Sequence, residues 1–158
     1  MTAPAVHLRL QPRSTRLEFG DGRTVTLAVG PRGLADDVLR HDPPTPAELE
    51  RAIDLVEDAL TGWRRLGADA SRLVTAHASL LALPGLGAPG VGLDRDAVER
   101  LFQRLASRTL GTPIAAAELP RGLDIAAALI ILRECMHHLG FDRVSAGDAQ
   151  GAERGPPR

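Results

Sequence analysis

Arginine is the side chain in this sequence best suited to bind an anion, and four arginines cluster near the start of the chain. They lie within fifteen residues of one another: Arg9, Arg13, Arg16 and Arg23. Because a guanidinium group binds phosphate through two parallel hydrogen bonds, the cluster indicates a site for a phosphate-rich anion. The alternative is a set of surface arginines on exposed strand faces, offset by Glu18 and Asp21.

His77 is a second candidate, because it follows a short apolar run where a strand should meet a helix. An imidazole at a helix N-terminus could bind an anion or act as an acid or base. The alternative is a polar loop residue without a chemical role.

Cys135 and His138 are three residues apart and share one face of a predicted helix, so they could ligate a metal ion. A third ligand would have to come from elsewhere, such as His41 or His7, and the spacing fits no closed zinc pattern. The alternative is that His137 and His138 favour the negative C-terminal end of the helix. We predict no metal site.

Composition limits the classes of function. The chain has 158 residues, a formal net charge of −1 and one cysteine. This indicates one domain without a disulfide and without a basic field for nucleic acid or an anionic membrane. All 19 basic residues are arginine, so a Walker-A lysine, a Schiff base and a lysine general base are excluded. No signal peptide or membrane-spanning run is recognisable, and we expect a cytoplasmic protein.

Hydrophobic periodicity predicts the elements that must position these residues. Three apolar runs near the N-terminus alternate as strands do, and Gly20-Asp21-Gly22 predicts a hairpin between the second and third. Two short strands follow later, at Leu73–Ala76 and Asp142–Ala146. The predicted helices are Thr45–Leu66, Leu93–Arg108 and Leu123–Leu139, with Thr45 and Asp94 as the N-caps of the first two. The predicted fold class is α/β, with a mixed five-stranded sheet flanked by helices.

Several segments carry a resemblance to a known family. They are Gly30-Pro31-Arg32-Gly33-Leu34, Pro44-Thr45-Pro46-Ala47-Glu48-Leu49 and Leu119-Pro120-Arg121-Gly122-Leu123-Asp124. Because these segments follow one another in this order and spacing, the chain resembles the second half of the Ppx/GppA family of exopolyphosphatases and guanosine pentaphosphate phosphatases. The resemblance implies a single actin-like (ribonuclease-H-like) half domain over residues 1–147, and the Gly/Pro-rich residues 148–158 are expected to form a disordered tail.

The phosphate-binding motifs that the resemblance implies are eroded. In the first loop Ser14 and Thr15 match the family, but Arg9 replaces its acidic residue, and Gln11, Pro12 and Arg13 replace its three glycines. Pro12 also removes a backbone donor.

The second loop reads Thr75-Ala76-His77 where the family has Gly-Gly-Thr, and a closing Asp124 matches. The possible anion site therefore comprises Arg9, Arg13, Ser14, Thr15, His77 and Asp124. No catalytic residue and no cofactor are predicted, with magnesium needed only if phosphatase activity remains.

Two such halves face each other across a cleft in the family, and the first half is expected to be absent here. The leading hypothesis is a catalytically inactive interaction or regulatory protein. It would form a homodimer or bind a protein partner on the uncovered cleft face, and bind neither nucleic acid nor membrane. The apolar residues expected to serve that face are Trp63, Leu80, Leu81, Leu83, Leu86 and Phe102. The alternatives are a binding module for polyphosphate or a guanosine polyphosphate, and a residual phosphatase.

Overall fold

Six strands form one mixed sheet in the computed structural model, which describes residues 5–63 and 72–147. The strands are β1 Ala5–Gln11, β2 Ser14–Glu18, β3 Thr24–Leu27, β4 Arg72–Thr75, β5 Gly92–Asp94 and β6 Arg143–Ala146. Their order is β3-β2-β1-β4-β6-β5. Strands β1, β4 and β6 are mutually parallel neighbours, and the remaining pairs are antiparallel. The predicted α/β class with a mixed sheet is confirmed.

The sheet has one strand more than the five predicted. The additional strand is β5, a three-residue edge strand that pairs with β6. Three residues are too few to show an alternating pattern, so the sequence had indicated a loop running into a helix here. Because Leu93 belongs to this strand, the helix predicted at Leu93–Arg108 begins only at Arg95.

The helices are α1 Pro31–Asp37, α2 Pro46–Leu60, α3 Ala78–Leu81, α4 Arg95–Thr109 and α5 Leu123–Leu139, with a 3₁₀ turn at Thr61–Trp63. Two predicted N-caps are confirmed: the Thr45 hydroxyl accepts the N–H of Glu48 at 3.2 Å, and the Asp94 carboxylate accepts that of Ala97 at 2.7 Å. The predicted helix end at Leu66 and the predicted tail at residues 148–158 lie outside the described residues.

Helix α5 is the centre of the core. It contacts α1, α2, α3 and α4, and every residue from Ala126 to Leu132 is buried. The strands alternate between buried and more exposed residues, as in the sequence Val6, His7, Leu8, Arg9 of β1. The helices therefore cover one face of the sheet, and α5 is apolar on most sides because it lies between that face and the other helices. No helix in the described part of the chain is long and apolar enough to cross a membrane.

The apolar residues expected on an uncovered face are mostly in the core, which corrects the sequence prediction. Leu80, Leu83, Leu86 and Phe102 are all buried, and α3 packs against α5. Among the six residues predicted for that face, only Trp63 is among the exposed large hydrophobic side chains. Apolar side chains in α3, in the loop after it and on α4 face the core, and apolar character alone did not distinguish a docking face from these buried positions.

Candidate functional site

The carboxyl ends of the parallel strands β1, β4 and β6 form the edge of the sheet at which α/β proteins commonly bind ligands. A groove of about 240 Å³ lies at this edge, and its lining includes His7, Arg9, Val74, His77 and Gly147. A second cavity of about 160 Å³ adjoins His77 from the other side, and its lining includes Pro12, Arg32, Ser79 and Asp124. We call these two cavities together the carboxyl-edge site.

His77 lies where the two cavities meet. It is the N-cap of α3, and its Nδ1 accepts the N–H of Ser79 at 3.3 Å. Burial lowers the pKa of His77, and the nearby carboxylate of Asp124 opposes this effect only in part. A neutral ring with Nδ1 as an acceptor carries its proton on Nε2, so His77 offers a neutral N–H donor to a ligand. Helix α3 has four residues, too few for a substantial helix dipole.

Asp124 and Arg32 form an ion pair at the mouth of the second cavity. Their charged atoms lie 3.8 Å apart, and both side chains are more than half exposed. Asp124 is in the first turn of α5, where a negative charge is favourable. Arg32 was absent from the predicted site, although it stands inside the Gly30–Leu34 segment that carries the family resemblance.

The β1–β2 hairpin, where the resemblance implies a phosphate loop, is packed against the start of α1. The Gly33 N–H donates to the Pro12 carbonyl at 3.0 Å. A Cβ on Gly30 would lie 2.5 Å from the Ser14 nitrogen and 2.6 Å from the Pro12 carbonyl oxygen, so only glycine allows this approach. The turn therefore supports α1 through its own backbone, and Pro12 offers no N–H to a ligand.

The two hydroxyl groups of the hairpin are used internally. Thr15 is fully buried, and its hydroxyl donates to the Val29 carbonyl at 2.7 Å. The Ser14 hydroxyl donates to the Gln11 side chain at 2.7 Å. Both residues match the family motif in sequence, yet they serve the local structure of the hairpin.

The clustered arginines are each paired with a carboxylate. Arg9 donates to Glu18 at 2.9 Å, and Arg13 donates to Asp37 at 3.1 Å. Arg13 lines a different cavity, between the hairpin and α1, whereas Arg9 lines the carboxyl-edge groove. The arginines therefore do not converge on one point. This agrees with the alternative in which they are separate surface arginines on exposed strand faces.

Of the six residues in the predicted anion site, the structure brings three to the carboxyl-edge site: Arg9, His77 and Asp124. The side chains of Arg13, Ser14 and Thr15 are engaged elsewhere in the hairpin. Anion binding by these residues stays a prediction.

Cys135 and His138 do not act together. Burial raises the pKa of Cys135 to about 12, so the side chain is a thiol inside the core. His138 instead faces two carboxylates, Glu134 on its own helix and Glu57 on α2. Sequence reasoning missed Glu134, whose signal was a carboxylate next to Arg133 in the mostly apolar helix α5, four residues before His138.

Comparison with solved structures identifies the fold. The chain matches the Ppx-GppA enzyme of Aquifex aeolicus with a TM-score of 0.69 and 16% identity, covering 94% of this chain and 54% of that one. It matches an exopolyphosphatase-like protein with a TM-score of 0.68 and 14% identity, covering 94% of this chain and 56% of that one. An exopolyphosphatase from Cytophaga hutchinsonii gives a TM-score of 0.64 at 12% identity, covering 92% of this chain and 53% of that one. No protein-family model and no curated protein sequence matches.

The chain therefore has the fold of one half of a Ppx/GppA enzyme, an actin-like half domain. It spans about half the length of the solved structures it matches. The half-domain resemblance predicted from the sequence is confirmed at the level of fold.

Proposed function

We propose that this chain is a non-catalytic interaction or regulatory protein of the cytoplasm, related to the Ppx/GppA phosphatases. The observation that carries the proposal is the β1–β2 hairpin. Its turn contains Pro12, and its carbonyl groups and close packing hold α1 through Gly30 and Gly33. A phosphate loop uses consecutive backbone N–H groups that converge on the anion, and Pro12 interrupts that series in this turn.

The side chains at the hairpin point to the same function. Phosphoryl transfer depends on preorganised donors and positive charge aimed at the transferred group. Arg9 and Arg13 are each neutralised by a carboxylate, and the Thr15 hydroxyl is buried. The proposed function assigns no catalytic residue and needs no cofactor at the carboxyl-edge site.

The proposed partner surface is the carboxyl edge, the side on which the resemblance implies that a second half would lie. Ala76 and Ala78 are exposed there, on either side of His77 in the chain, and the Arg32–Asp124 ion pair lies at the second cavity. Small side chains let another backbone approach closely, and a paired charge can exchange partners across an interface. We propose that a second copy of the chain, or another protein, covers this surface.

Phosphate release from polyphosphate in the presence of magnesium tests the absence of catalysis. We expect the chain to release no more phosphate than the blank, and His77→Ala and Asp124→Ala to give the same result. A turnover that falls in both variants, with folding intact by circular dichroism, would refute the proposal. An active exopolyphosphatase assayed in parallel shows that the assay detects the reaction.

A second candidate function is the binding of a phosphate-rich anion without turnover. The favouring observation is that the neutral His77 donor and the Arg32 guanidinium line the same cavity. Arg32 is 3.8 Å from the Asp124 carboxylate, a longer ion pair than the 2.9 Å and 3.1 Å contacts of Arg9 and Arg13. We would titrate polyphosphate and a guanosine polyphosphate by calorimetry over a salt series, because charge-driven binding weakens with salt.

This candidate predicts binding at low salt that Arg32→Gln weakens and Arg23→Gln preserves. Arg23 is the matched control because it lies on the β2–β3 hairpin and is paired with Asp21. An absence of heat at low salt would remove this candidate and leave the interaction protein.

A further inference from the structure

Three potential metal ligands converge between α2 and α5, away from the carboxyl-edge site. Their ligand atoms, from Glu57, Glu134 and His138, all lie within 4.8 Å of one another. The Nε2 of His138 is 3.0 Å from a carboxylate oxygen of Glu134 and 3.5 Å from one of Glu57. Glu134 and His138 are four residues apart on α5 and so share a face, while Glu57 comes from the neighbouring helix.

The arrangement around Glu134 prepares one of its oxygens for a cation. The side chain is only 2% exposed, and its other oxygen accepts from Arg133 at 2.7 Å. Arg133 is itself held by Glu99 at 2.8 Å and lies 4.0 Å over the ring of Phe102. This partner network fixes the direction of the Glu134 carboxylate, as the supporting contacts of metal ligands commonly do.

The local charge also requires compensation. The Glu99 and Glu134 carboxylates both contact the guanidinium of Arg133, whereas the Glu57 carboxylate lies beside His138. The formal charges of Glu57, Glu99, Glu134 and Arg133 leave two negative charges in excess, and the Glu134 carboxylate lies inside the core. A divalent cation bonded to the imidazole and two carboxylates balances this charge.

We propose that Glu57, Glu134 and His138 bind a divalent transition-metal ion, Zn²⁺ in preference to Mg²⁺, with water completing the coordination. Ligand bonds of 2.0–2.1 Å in a tetrahedral arrangement place ligand atoms about 3.4 Å apart. The two distances from His138 Nε2, 3.0 and 3.5 Å, fall on either side of that spacing. An imidazole nitrogen suits Zn²⁺, while Mg²⁺ prefers oxygen ligands alone.

The proposed ion would hold α2 and α5 together. His138 lies fourteen residues beyond Asp124 on the same helix, about 21 Å along its axis. This separation excludes direct contact between the ion and the carboxyl-edge site. The expected effect is stabilisation of the native state, because an ion that binds only the folded chain raises its stability by mass action.

Calorimetric titration of the chelator-treated full chain with Zn²⁺ tests the proposal. We expect one ion per chain, with affinity at least tenfold weaker in Glu57→Gln and in His138→Gln. His137→Gln is the matched control, since His137 adjoins His138 on α5 and is exposed outside the cluster. Retained affinity in both cluster variants, an equal loss in the control, or no binding by the wild type would overturn the proposal.

Thermal unfolding gives a second readout. Excess Zn²⁺ should raise the Tm of the wild type and of His137→Gln, and leave the Tm of Glu57→Gln unchanged or raise it much less. The Glu57 side chain is 45% exposed, so we expect its replacement to leave folding intact and to isolate the lost ligand. An equal rise in Glu57→Gln and in the wild type would contradict the proposed site, as would a larger rise with Mg²⁺ than with Zn²⁺.

Discussion

The protonation state of His77 links the carboxyl-edge site to the stability of the fold. Burial lowers the pKa of His77 in the folded chain, whereas the unfolded chain has an ordinary histidine pKa of about 6.5. Below that pH the unfolded state binds the proton more readily than the folded state. The folded chain therefore has its full stability above about pH 6.5 with respect to this group, and loses stability as the pH falls further.

Replacement of His77 should reduce this pH dependence. We predict that His77→Asn loses less free energy of unfolding than the wild type between pH 7.5 and pH 5.0, measured by urea denaturation at both pH values. Asparagine keeps a capping oxygen for the Ser79 N–H, so the local helix start is preserved. His137→Asn should retain the wild-type dependence. A wild-type slope in His77→Asn would show that burial does not destabilise the protonated imidazolium form of His77.

The sequence predicted residue roles best where a role depends on local backbone. His77 does cap a helix and Asp124 does begin one, as their positions in the chain indicated. The pairing of Arg9 with Glu18 depends on the register between β1 and β2. Two alternating runs in a sequence predict that two strands pair, but they do not define the register of that pairing. Glu134 could not be found, because its partner Glu57 is brought close only by packing of α2 on α5.

At the scale of elements, the junction between the β1–β2 hairpin and α1 depends on one glycine. Gly30 has an extended backbone that any residue could adopt, so its requirement is steric. A methyl group there would meet backbone atoms of Pro12 and Ser14, which cannot rotate away as a side chain can. Relief of the clash would separate the hairpin from α1.

We predict that Gly30→Ala lowers the free energy of unfolding by about 2–3 kcal/mol, the cost typical of overpacking at a tightly packed position. Chemical denaturation followed by circular dichroism measures the change. Gly62→Ala is the matched control, because a Cβ there meets nothing within 4 Å and its cost should be close to zero. Equal stabilities of the two variants would mean that the hairpin moves freely relative to α1.

The long elements were predictable because their patterns are local. Predicted α5 coincides with the observed helix, and the caps of α2 and α4 are at the expected residues. The short elements β5, α1 and α3 have three, seven and four residues, too few to establish a periodicity. These short elements decide which apolar residues are covered, so the predicted docking face was wrong.

At the scale of the whole molecule, the exposed carboxyl edge combines small side chains with an ion pair of opposite charges. Arg32 and Asp124 are both accessible and lie 3.8 Å apart. We expect a twofold axis at this edge to pair Arg32 with Asp124 of the partner subunit, with the reverse contact formed by symmetry. Such a self-complementary arrangement is what a symmetric dimer interface requires.

We predict that the chain forms a homodimer through this edge, with a mass near twice 16.8 kDa by light scattering at micromolar concentration. Ala76→Arg, which places a long charged side chain at the exposed edge, should give a monomer. Arg32→Glu should weaken the dimer through repulsion by Asp124 of the partner subunit, and the added change Asp124→Arg should restore it.

Asp58→Arg, on the exposed face of α2, is the control and should remain dimeric. A wild-type mass of 16.8 kDa would refute the homodimer, and a dimer that survives Ala76→Arg would place the dimer interface elsewhere.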